Sequence, residues 1–378
     1  MRIFHLVPNL NYGGLQKVVE LLALHQVRSG HSVTIGCWTF RCNHPEAEAE
    51  LQAKGVKVVY LRRGEDGAMS HGKRASLKKL KSYLGTGKAD ILHVHNPFGY
   101  LIYGALAARL AGSTKSLVSV HATVMFDQPG FGRRGRTEFW IACLLMDGVV
   151  SVCDEVKDFL RKRFRLSSRK MLVVDNGIEL SRFLAVADRS LGAEIVFGAA
   201  GRMTWEKGHR VLIEAFALVY RKHSGVRLRL LGGGGLKEAL MQRVRDLGLG
   251  DAVEFCGFGN DVPSFLSTLD IYVLPSLFEA QPLGLMEAIA SGRPVVATSV
   301  GGVPKIVEST NAGWLCEAND PAALAAAMEK AIANRDRAEL TTRARALAAT
   351  YYSAQRMAAE YQAVYETLIV GAQRSTQR

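Results

Sequence analysis

The chain alternates short apolar runs with amphipathic stretches, and this alternation begins twice. In the first half, each apolar run is separated from the next by enough residues for a helix. Runs that are apolar throughout and separated by helices are typical of a parallel sheet with helices on both faces. The predicted strands of this half are Ile3–Val7, Ser32–Trp38, Val56–Leu61, Ile91–Val94, Leu117–Val120, Val149–Val152 and Met171–Val174.

A polar stretch without periodicity, Ser181–Ala193, interrupts the pattern, and Ile195–Ala200 then restarts it as a new first strand. The fold class is therefore predicted as α/β, with two Rossmann-like, doubly wound domains facing a central cleft. We expect an N-terminal domain over 1–182, a C-terminal domain over 183–353, and a helix over 354–378 that returns to the N-terminal domain. Further strands are predicted at Leu228–Leu231, Val253–Phe255, Ile271–Leu274 and Pro294–Ala297, and late helices at Ala322–Ile332, Ala338–Ala349 and Ala354–Ile369.

The composition excludes several classes of protein. A chain of 378 residues is too long for one hydrophobic core, and 48% hydrophobic with 22% charged residues excludes disorder. The longest strongly apolar run, Phe139–Met146, is far below the roughly 20 residues of a membrane span, and no signal peptide is expected before Ile3–Val7. The six cysteines are scattered without a CxxC pair, which argues against disulfides or zinc and favours a reducing cytoplasm.

A predicted helix start follows the strand Ile271–Leu274. Pro282 suits the beginning of a helix because its missing N–H costs nothing there. The free amide groups that follow form an anion site suited to a diphosphate, and Gly284 lets a ligand approach the backbone closely. These amides belong to Leu283, Gly284 and Leu285.

Two carboxylates flank this helix start: Glu279 in the preceding loop, and Glu287 about one turn into the helix. Carboxylates accept hydrogen bonds from vicinal diols, which a sugar and a ribose both present. The pair beside a diphosphate site therefore indicates a ligand that carries hydroxyl groups. The alternative is that Glu279 is a solvated loop residue and Glu287 is favoured there by the helix dipole.

A second pattern, Gly201-Arg202 with Lys207-Gly208, follows the strand Ile195–Ala200 directly. Arg202 offers a planar fork of donors and Lys207 a compact charge, so together they could neutralise two phosphoryl groups. An exposed basic turn is the alternative, but the position after a new first strand favours phosphate binding.

Two glycine-rich loops also follow predicted strands. Gly13 and Gly14 open the first helix, where paired glycines let backbone amides approach a phosphate or sugar. Gly232–Gly235 is either a similar close-approach loop or a loose turn. Neither loop is a GxGxxG or P-loop motif, so dinucleotide and ATP binding lack their fingerprint.

Three histidines follow or line predicted strands. His121 ends Leu117–Val120 and is expected to point into the cleft, where a structural and a catalytic role are about equally favoured. His93 and His95 alternate along one strand face, but no third metal ligand is evident nearby, so packing is favoured over metal binding. The sequence contains no D-x-D triplet. A nucleotide-sugar enzyme of this kind would thus neutralise its leaving diphosphate with cationic side chains and helix ends.

In combination, the E-x7-E spacing of Glu279 and Glu287, the G-R-x4-K-G pattern of Gly201–Gly208 and the Gly13-Gly14 loop occur in order in one chain. The sequence resembles the retaining GT-B glycosyltransferases of family 4, which build bacterial surface polysaccharides, lipopolysaccharide cores and phosphoinositol mannosides. The resemblance spans almost the whole chain and is most specific over Pro275–Gly302.

The resemblance implies transfer from a nucleotide sugar to a lipid-linked or saccharide acceptor, with the anomeric configuration kept and no metal or other cofactor. Arg202 and Lys207 would hold the donor diphosphate, Glu287 the ribose, and Glu279 hydroxyls of the transferred sugar. The N-terminal domain would take the acceptor and the C-terminal domain the nucleotide sugar. Further implied donor contacts are Gly13 and Gly14 on the diphosphate, the amides of Gly284 and Leu285, His121 at the sugar and reaction centre, and Phe258, in the loop Gly257–Val262, near the base.

Three positions depart from the family pattern. Ala122 follows His121 where an acidic residue is common, Gly232–Gly235 lacks the usual carboxylate and proline, and Gln16 replaces a common Glu. None of these three departures changes Arg202, Lys207, Glu279 or Glu287. The departures therefore bear on sugar specificity more than on activity.

The first half of the chain is strongly basic. Residues 1–180 hold 26 basic and 15 acidic residues, a net charge of +11 out of +13 for the whole chain. Such asymmetry indicates an anionic partner, and a lipid-linked acceptor at an anionic inner membrane face would explain it. Phe131–Arg136 with Trp140 is a candidate interfacial element. The alternatives are a solvated basic surface or a basic bias across the whole proteome. The basic residues cluster at Lys73, Arg74, Lys78, Lys79 and Lys81, at Arg133, Arg134 and Arg136, and at Arg161, Lys162, Arg163, Arg165, Arg169 and Lys170.

Three other functions remain open from the sequence. A nucleotide-sugar epimerase or hydrolase could share the fold, and a non-catalytic nucleotide-sugar-binding protein could share the site. A nucleic-acid-binding function would rest on charge alone, because no helix-turn-helix, zinc or aromatic RNA-binding signature is present, so nucleic acid is not an expected partner.

Overall fold

The computed structural model describes residues 1–11, 13–39, 45–62, 72–85, 87–96, 99–127, 131–186, 194–259, 261–334 and 337–375. The chain divides into two compact units, Met1–Gly177 with Ala354–Arg378, and Ile178–Ser353. The change of unit at Gly177 falls a few residues before the expected boundary at 182. Each unit is a parallel sheet with helices, so the predicted pair of Rossmann-like α/β sheets is confirmed.

The first unit contains a seven-stranded parallel sheet of order β3-β2-β1-β4-β5-β6-β7. Growth of the sheet reverses beside β1, which pairs with β2 on one side and β4 on the other. The inner strands β4 and β5 are almost entirely buried, as expected of strands covered on both faces. The strands are β1 (Arg2–Val7), β2 (Ser32–Cys37), β3 (Lys57–Tyr60), β4 (Ile91–His95), β5 (Lys115–Val120), β6 (Gly148–Ser151) and β7 (Met171–Val173).

Helices cover this sheet in the βα order expected of a doubly wound fold. The last helix of the chain also belongs to this unit, where it packs against α1. The helices are α1 (Gly14–Arg28), α2 (Pro45–Ala53), α3 (Gly72–Leu84), α4 (Leu101–Ala111), α5 (Gly132–Leu145), α6 (Asp154–Phe164) and, at the end of the chain, α15 (Ala354–Ser375).

The second unit contains a six-stranded parallel sheet of order β10-β9-β8-β11-β12-β13. Its strands are β8 (Ile195–Ala200), β9 (Val226–Leu231), β10 (Val253–Gly257), β11 (Ile271–Leu274), β12 (Val295–Thr298) and β13 (Gly313–Cys316). Its helices are α7 (Leu180–Leu184), α8 (His209–Tyr220), α9 (Lys237–Asp246), α10 (Val262–Ser267), α11 (Leu283–Ala290), α12 (Val303–Thr310), α13 (Pro321–Ala333) and α14 (Arg337–Tyr351).

Two buried clusters cover the two faces of this second sheet. Along β8, Phe197 belongs to one cluster and Val196 to the other, because successive side chains of a strand point to opposite faces. The first cluster includes Phe216 of α8, and the second includes Leu285 of α11. The sheet is therefore the middle layer of three.

The strand β13 was not predicted from the sequence. It is a four-residue strand at the sheet edge, begins with a glycine, and is only partly buried. Its conformation comes from pairing with β12, where Val295 lies opposite Gly313. No described helix is long and apolar enough to cross a membrane.

Candidate active site

The candidate site of the second unit lies at the carboxyl ends of β8 and β11. The sheet order places β8, the first strand, between β9 and β11, so the sheet grows in both directions from it. In doubly wound sheets this reversal opens a crevice at the carboxyl ends of the two strands. The Gly201–Gly208 and Pro275–Pro282 segments both leave the sheet here.

Direct backbone contacts join these two segments. Gly208 has φ +65°, and a Cβ added to it would lie 1.9 Å from the carbonyl oxygen of Pro275. The amide of Leu277 also donates to the carbonyl of Glu206 at 2.8 Å. Only glycine can adopt this conformation at this close approach, so Gly208 fixes one loop against the other.

Lys207 and Glu279 meet across these loops. The Lys207 Nζ lies 2.6 Å from Glu279 Oε1, with side chains 24% and 9% exposed. The Ser276 hydroxyl donates to the same carboxylate oxygen at 2.8 Å. Glu279 is therefore a held, mostly buried carboxylate, which contradicts the alternative of a solvated loop residue.

Arg202 lies on the open side of the same loop. Its side chain is 65% exposed, and its Nη2 lies 3.3 Å from Glu206 Oε1. An exposed ion pair of this length contributes little stability. The guanidinium can therefore turn toward an anionic ligand at small cost.

The helix α11 brings the third set of predicted residues to this edge. Pro282 is its N-cap residue and no side chain caps it, so the amides of Leu283, Gly284 and Leu285 form its first turn. A Cβ on Gly284 would lie 2.9 Å from the Tyr272 hydroxyl, which donates to the carbonyl of Ala200 at 3.3 Å. The helix start thus lies against the end of β8.

Glu287 lies near the same tyrosine. Burial, together with the charge of Glu287, raises the pKa of Tyr272 well above its usual value. Glu287 is partly exposed, one turn into α11, as predicted from the sequence. Two cations, two carboxylates and a helix N-terminus therefore lie at the carboxyl ends of β8 and β11. The groups are Arg202, Lys207, Glu279, Glu287 and the first turn of α11.

Phe258 lies apart from this group. It follows β10, which β9 separates from β8, and its side chain is 64% exposed. Asn260, two residues further along the chain, is outside the described residues, so the loop Gly257–Val262 is described only in part.

Sequence reasoning missed four residues of the site. Ser276 holds Glu279, and no pattern in the sequence pointed to it. Trp205 and Phe278 are 58% and 47% exposed, and their ring centroids lie 5.3 Å apart. The signal that could have identified them is a large aromatic residue in each of the two loops. His209 is 3% exposed beside Lys207, and burial followed by that charge lowers its pKa to about 4.

In the first unit, Gly13 is the N-cap residue of α1 and has an extended backbone. A Cβ on Gly13 would lie 2.5 Å from Gln16 Oε1, and the Gln16 amide donates to Asn9 Oδ1 at 3.1 Å. Gly14 is the first residue of α1, and Tyr12 lies outside the described residues. Gly13 and Gly14 thus lie at the carboxyl end of β1.

His121 lies at the corresponding end of β5. Its amide donates to Asn96 Oδ1 at 2.7 Å, and its Nε2 lies 3.2 Å from His95 Nδ1. Burial lowers the pKa of His121 to about 4, so the ring is neutral at pH 7.

The expectation that no third ligand lies near His93 and His95 was wrong. β1 pairs with β4 and places His5 opposite His93, so that ligand atoms of the three rings lie within 4.8 Å of one another. His5 lies far from His93 and His95 in the sequence, so the sequence analysis did not link them. Both ring nitrogens of all three histidines form hydrogen bonds within the described residues, which favours packing over metal binding.

An exposed apolar patch lies on two packed helices of the first unit. It consists of Leu106 and Leu110 of α4 with Trp140, Ile141 and Leu144 of α5, each between 37% and 58% exposed. We refer to these five residues as the apolar patch. Arg133 and Arg134, also exposed, lie in the first turn of α5.

Two family models match the chain, one in each half. Residues 12–182 match the family described as Glycosyltransferase Family 4, and residues 194–334 match Glycosyl transferases group 1. Together they match more than four fifths of the chain.

Curated relatives agree with these matches. The putative colanic acid biosynthesis glycosyltransferase WcaL of Salmonella typhimurium is 34% identical over 165 residues, which is 42% of this chain and 41% of WcaL. A glycogen synthase of Mycobacterium tuberculosis is 28% identical over 90% of this chain and 86% of its own length. The UDP-Gal:alpha-D-GlcNAc-diphosphoundecaprenol alpha-1,3-galactosyltransferase of Escherichia coli is 27% identical over 65% of this chain and 67% of its own length.

Solved structures share the fold. A glycosyltransferase from Rickettsia africae superposes with a TM-score of 0.78 at 18% identity, covering 97% of this chain and 98% of that one. Anabaena HepE, solved with UDP-glucose, superposes with a TM-score of 0.77 at 18% identity, covering 97% and 100%. At this identity the likeness concerns the fold alone, which is the GT-B fold of two Rossmann-like domains.

Proposed function

The chain belongs to the glycosyltransferases of group 1 and family 4, and from this premise we propose that it is a retaining, metal-independent enzyme of bacterial cell-surface glycan synthesis. It would move a sugar from a nucleotide-sugar donor to a hydroxyl of a lipid-linked or saccharide acceptor. The Lys207–Glu279 pair at the end of β8 carries this proposal, because it places a cation suited to phosphate 2.6 Å from a carboxylate suited to sugar hydroxyls. The names of the relatives, in colanic acid and undecaprenol-linked glycan synthesis, support the acceptor class.

Lys207 and Arg202 would neutralise the donor diphosphate. Arg202 is exposed and weakly paired, and Lys207 is already held next to the loop of the sugar-binding carboxylate. The uncapped first turn of α11 adds amide donors and a positive helix-dipole end. These cationic side chains and helix amides supply charge that a divalent ion supplies in other enzymes, which supports metal independence.

Glu287 and Glu279 would bind hydroxyl groups at the two ends of the diphosphate. A carboxylate accepts hydrogen bonds from the two hydroxyls of a ribose or of a hexose. In this proposal Glu287 binds the ribose and Glu279 the transferred sugar. Toward the same donor, the roles of Gly13, Gly14, Phe258 and His121 remain predictions.

The transfer step would occur on one face of the sugar. The acceptor oxygen forms a bond to the anomeric carbon on the side from which the diphosphate oxygen leaves, and that leaving oxygen takes the acceptor proton. The configuration at the anomeric carbon is then kept. Lys207 and Arg202 stabilise the negative charge that develops on the leaving diphosphate, so a dedicated side-chain base is unnecessary.

The first experiment identifies the donor and then the stereochemistry. Thermal shift is measured with UDP, GDP and ADP and with their glucose and mannose conjugates, because a ligand of the folded state raises the melting temperature. The best donor is incubated with saccharide and undecaprenyl-linked acceptors, and the anomeric configuration of the product is determined by NMR.

The outcomes separate the parts of the proposal. A transferred sugar with the donor's configuration, formed equally well after EDTA treatment, is the expected result. An inverted product contradicts the retaining mechanism, and activity lost with EDTA and restored by a divalent ion contradicts metal independence. Release of free sugar or an epimerised donor, with no acceptor product, indicates a hydrolase or epimerase instead. Binding without turnover on any acceptor indicates a non-catalytic protein.

We also propose that the first unit contacts an anionic membrane surface at the inner face of the cytoplasmic membrane. The apolar patch exposes five large side chains on neighbouring helices, next to Arg133 and Arg134. Apolar side chains beside arginines suit the boundary between lipid headgroups and acyl chains. Each basic residue near such a surface contributes about 1 kcal/mol. The net charge of +11 on residues 1–180 supports the same partner.

A further inference from the structure

A row of hydrogen-bonded side chains crosses the first unit from α1 to the end of β5. Gln26 Oε1 lies 2.7 Å from His5 Nε2, and His5 Nδ1 lies 2.9 Å from His95 Nε2. His95 Nδ1 then lies 3.2 Å from His121 Nε2. Because β1, β4 and β5 are neighbours, each strand contributes one ring in turn. We refer to Gln26, His5, His95 and His121 as the histidine row.

The position of each proton in the row follows from its first member. Burial lowers the pKa of all three histidines, so each ring is neutral and has one N–H donor and one acceptor nitrogen. The Gln26 oxygen can only accept, which places the proton of His5 on Nε2. The Nδ1 of His5 must then accept from His95, and the Nδ1 of His95 must accept from His121.

His121 consequently holds its proton on Nε2 and a lone pair on Nδ1. The orientation of its backbone is also fixed, because its amide donates to Asn96 Oδ1 at 2.7 Å. Within the described ranges, the buried Nδ1 of His121 has no hydrogen-bond partner. A buried acceptor without a partner costs free energy, which a donating hydroxyl would recover.

The last helix of the chain orients Gln26. The Gln26 Nε2 donates to the hydroxyl of Tyr365 on α15 at 3.2 Å, and that hydroxyl lies 2.8 Å from His93 Nδ1. The single proton of Tyr365 therefore goes to His93, whose Nε2 donates to the Ser119 hydroxyl at 2.7 Å. Tyr365 is fully buried. In this arrangement the oxygen of Gln26 faces His5 and its amino group faces Tyr365.

Resting on the proposed function, we propose that Gln26, His5 and His95 are positioning residues that keep Nδ1 of His121 an acceptor for a hydroxyl of the transferred sugar. His121 alone touches the sugar. The other three act through it, by fixing which of its nitrogens carries the proton. The row therefore selects a ligand group that donates a hydrogen bond at this point, and discriminates against one that only accepts.

The tautomer is measured directly in the full-length protein with ¹⁵N-labelled histidine, because the two neutral tautomers have distinct nitrogen shifts. The expected result for wild type is a neutral His121 protonated on Nε2. A proton on Nδ1, a charged ring, or a stoichiometric zinc ion bound by His5, His93 and His95 would overturn the proposal. This measurement needs no ligand.

Two variants test whether the row sets that tautomer. Gln26→Leu removes the anchoring oxygen and should give a mixture of His121 tautomers. Gln362→Leu is the matched control, because Gln362 also pairs with a histidine, His31, at 2.8 Å but lies outside the row. A wild-type His121 signal in folded Gln26→Leu contradicts the proposal.

Binding constants test the hydroxyl contact. For the matched pair that binds in the thermal-shift panel, such as UDP and UDP-glucose, Gln26→Leu should weaken the nucleotide sugar about twofold for an even mixture of tautomers, and by at most about tenfold, the loss of one hydrogen bond. Binding of the nucleoside diphosphate should be unchanged. Equal weakening of both ligands, or of neither, overturns the hydroxyl contact. If no nucleotide binds wild type, the proposed function fails with that contact, whereas the tautomer measurement still decides the positioning role.

Discussion

Lys207 and Glu279 come from loops 72 residues apart in the sequence, yet their side chains meet at 2.6 Å. The contact depends on the backbone fit between Gly208 and Pro275, which brings the loop after β8 against the loop after β11. Glu279 is only 9% exposed, and its carboxylate contacts both Lys207 and the Ser276 hydroxyl. The two residues therefore act as one unit, and a change in either alters the other.

Replacing Lys207 with alanine should lower sugar transfer at least tenfold, and about 100-fold is expected by analogy with the loss of one electrostatic donor to a transition state. The reason is that the leaving diphosphate loses its most enclosed cation. Initial rates with the donor found by thermal shift measure the effect.

Lys222→Ala is the matched control for this variant. Lys222 also forms an ion pair, with Glu329 at 2.8 Å, but its side chain is 64% exposed and the residue follows the C-terminal end of α8, away from the site. Its transfer rate should equal that of wild type. Wild-type turnover in Lys207→Ala would remove Lys207 from the proposed mechanism.

Gly208→Ala should destabilise the second unit and abolish donor binding. Its φ of +65° alone costs roughly 1 kcal/mol for alanine, and the 1.9 Å approach to the Pro275 oxygen must also be relieved by separating the loops. Gly248→Ala separates the two effects, since Gly248 has φ +68° but nothing within 4 Å of an added Cβ. Urea unfolding should show a much larger loss for Gly208→Ala, and equal losses would contradict the close approach.

The sequence was sufficient to predict where most strands and helices fall along the chain, because continuously apolar runs such as Ile271–Leu274 are typical of inner strands of a covered parallel sheet. It failed at β13, where Gly313–Cys316 becomes a strand through pairing with β12. It also started β9 too late, since Arg227 and Arg229 are polar there. In the structure both arginines point outward to ion pairs with Glu194 and Glu254.

At the candidate site, spacing predicted the residue types but not their contacts. The E-x7-E and G-R-x4-K-G patterns carry no information on the meeting of Lys207 and Glu279, which depends on which strands are neighbours in the sheet. For the same reason His5 could not be linked to His93 and His95. A contact between strands that are distant in sequence appears only once the strand order is known.

Lowering the pH should destabilise the protein through its buried histidines, and His209→Leu should reduce this effect. Burial, followed by the charge of Lys207, lowers the pKa of His209 to about 4, against roughly 6.5 in an unfolded chain. Between these values the unfolded state binds a proton that the folded state does not, so the free energy of unfolding falls as pH falls, by at most about 1.4 kcal/mol per pH unit. The stability that the neutral ring contributes is complete above about pH 6.5.

Urea unfolding of wild type and His209→Leu over this pH range measures the difference. Leucine cannot take a proton, so the variant should lose less stability on acidification. Neither ring nitrogen of His209 has a hydrogen-bond partner among the residues described, so leucine leaves no partner unsatisfied. Parallel pH profiles of the two proteins would contradict a buried, neutral His209.

Leu144→Glu should weaken binding to anionic vesicles without changing transfer to a water-soluble acceptor. Leu144 is 49% exposed in the apolar patch, and a carboxylate there both removes apolar surface and repels the lipid headgroups. Leu184→Glu is the matched control, because Leu184 is 42% exposed but lies on α7 of the second unit. Co-sedimentation with vesicles of phosphatidylglycerol should give wild-type binding for Leu184→Glu and reduced binding for Leu144→Glu.

Binding of wild type should also fall as salt rises from low ionic strength to about 0.1 M, where charges more than about 10 Å apart are screened. If wild type fails to bind these vesicles at low salt, the apolar patch does not contact a membrane.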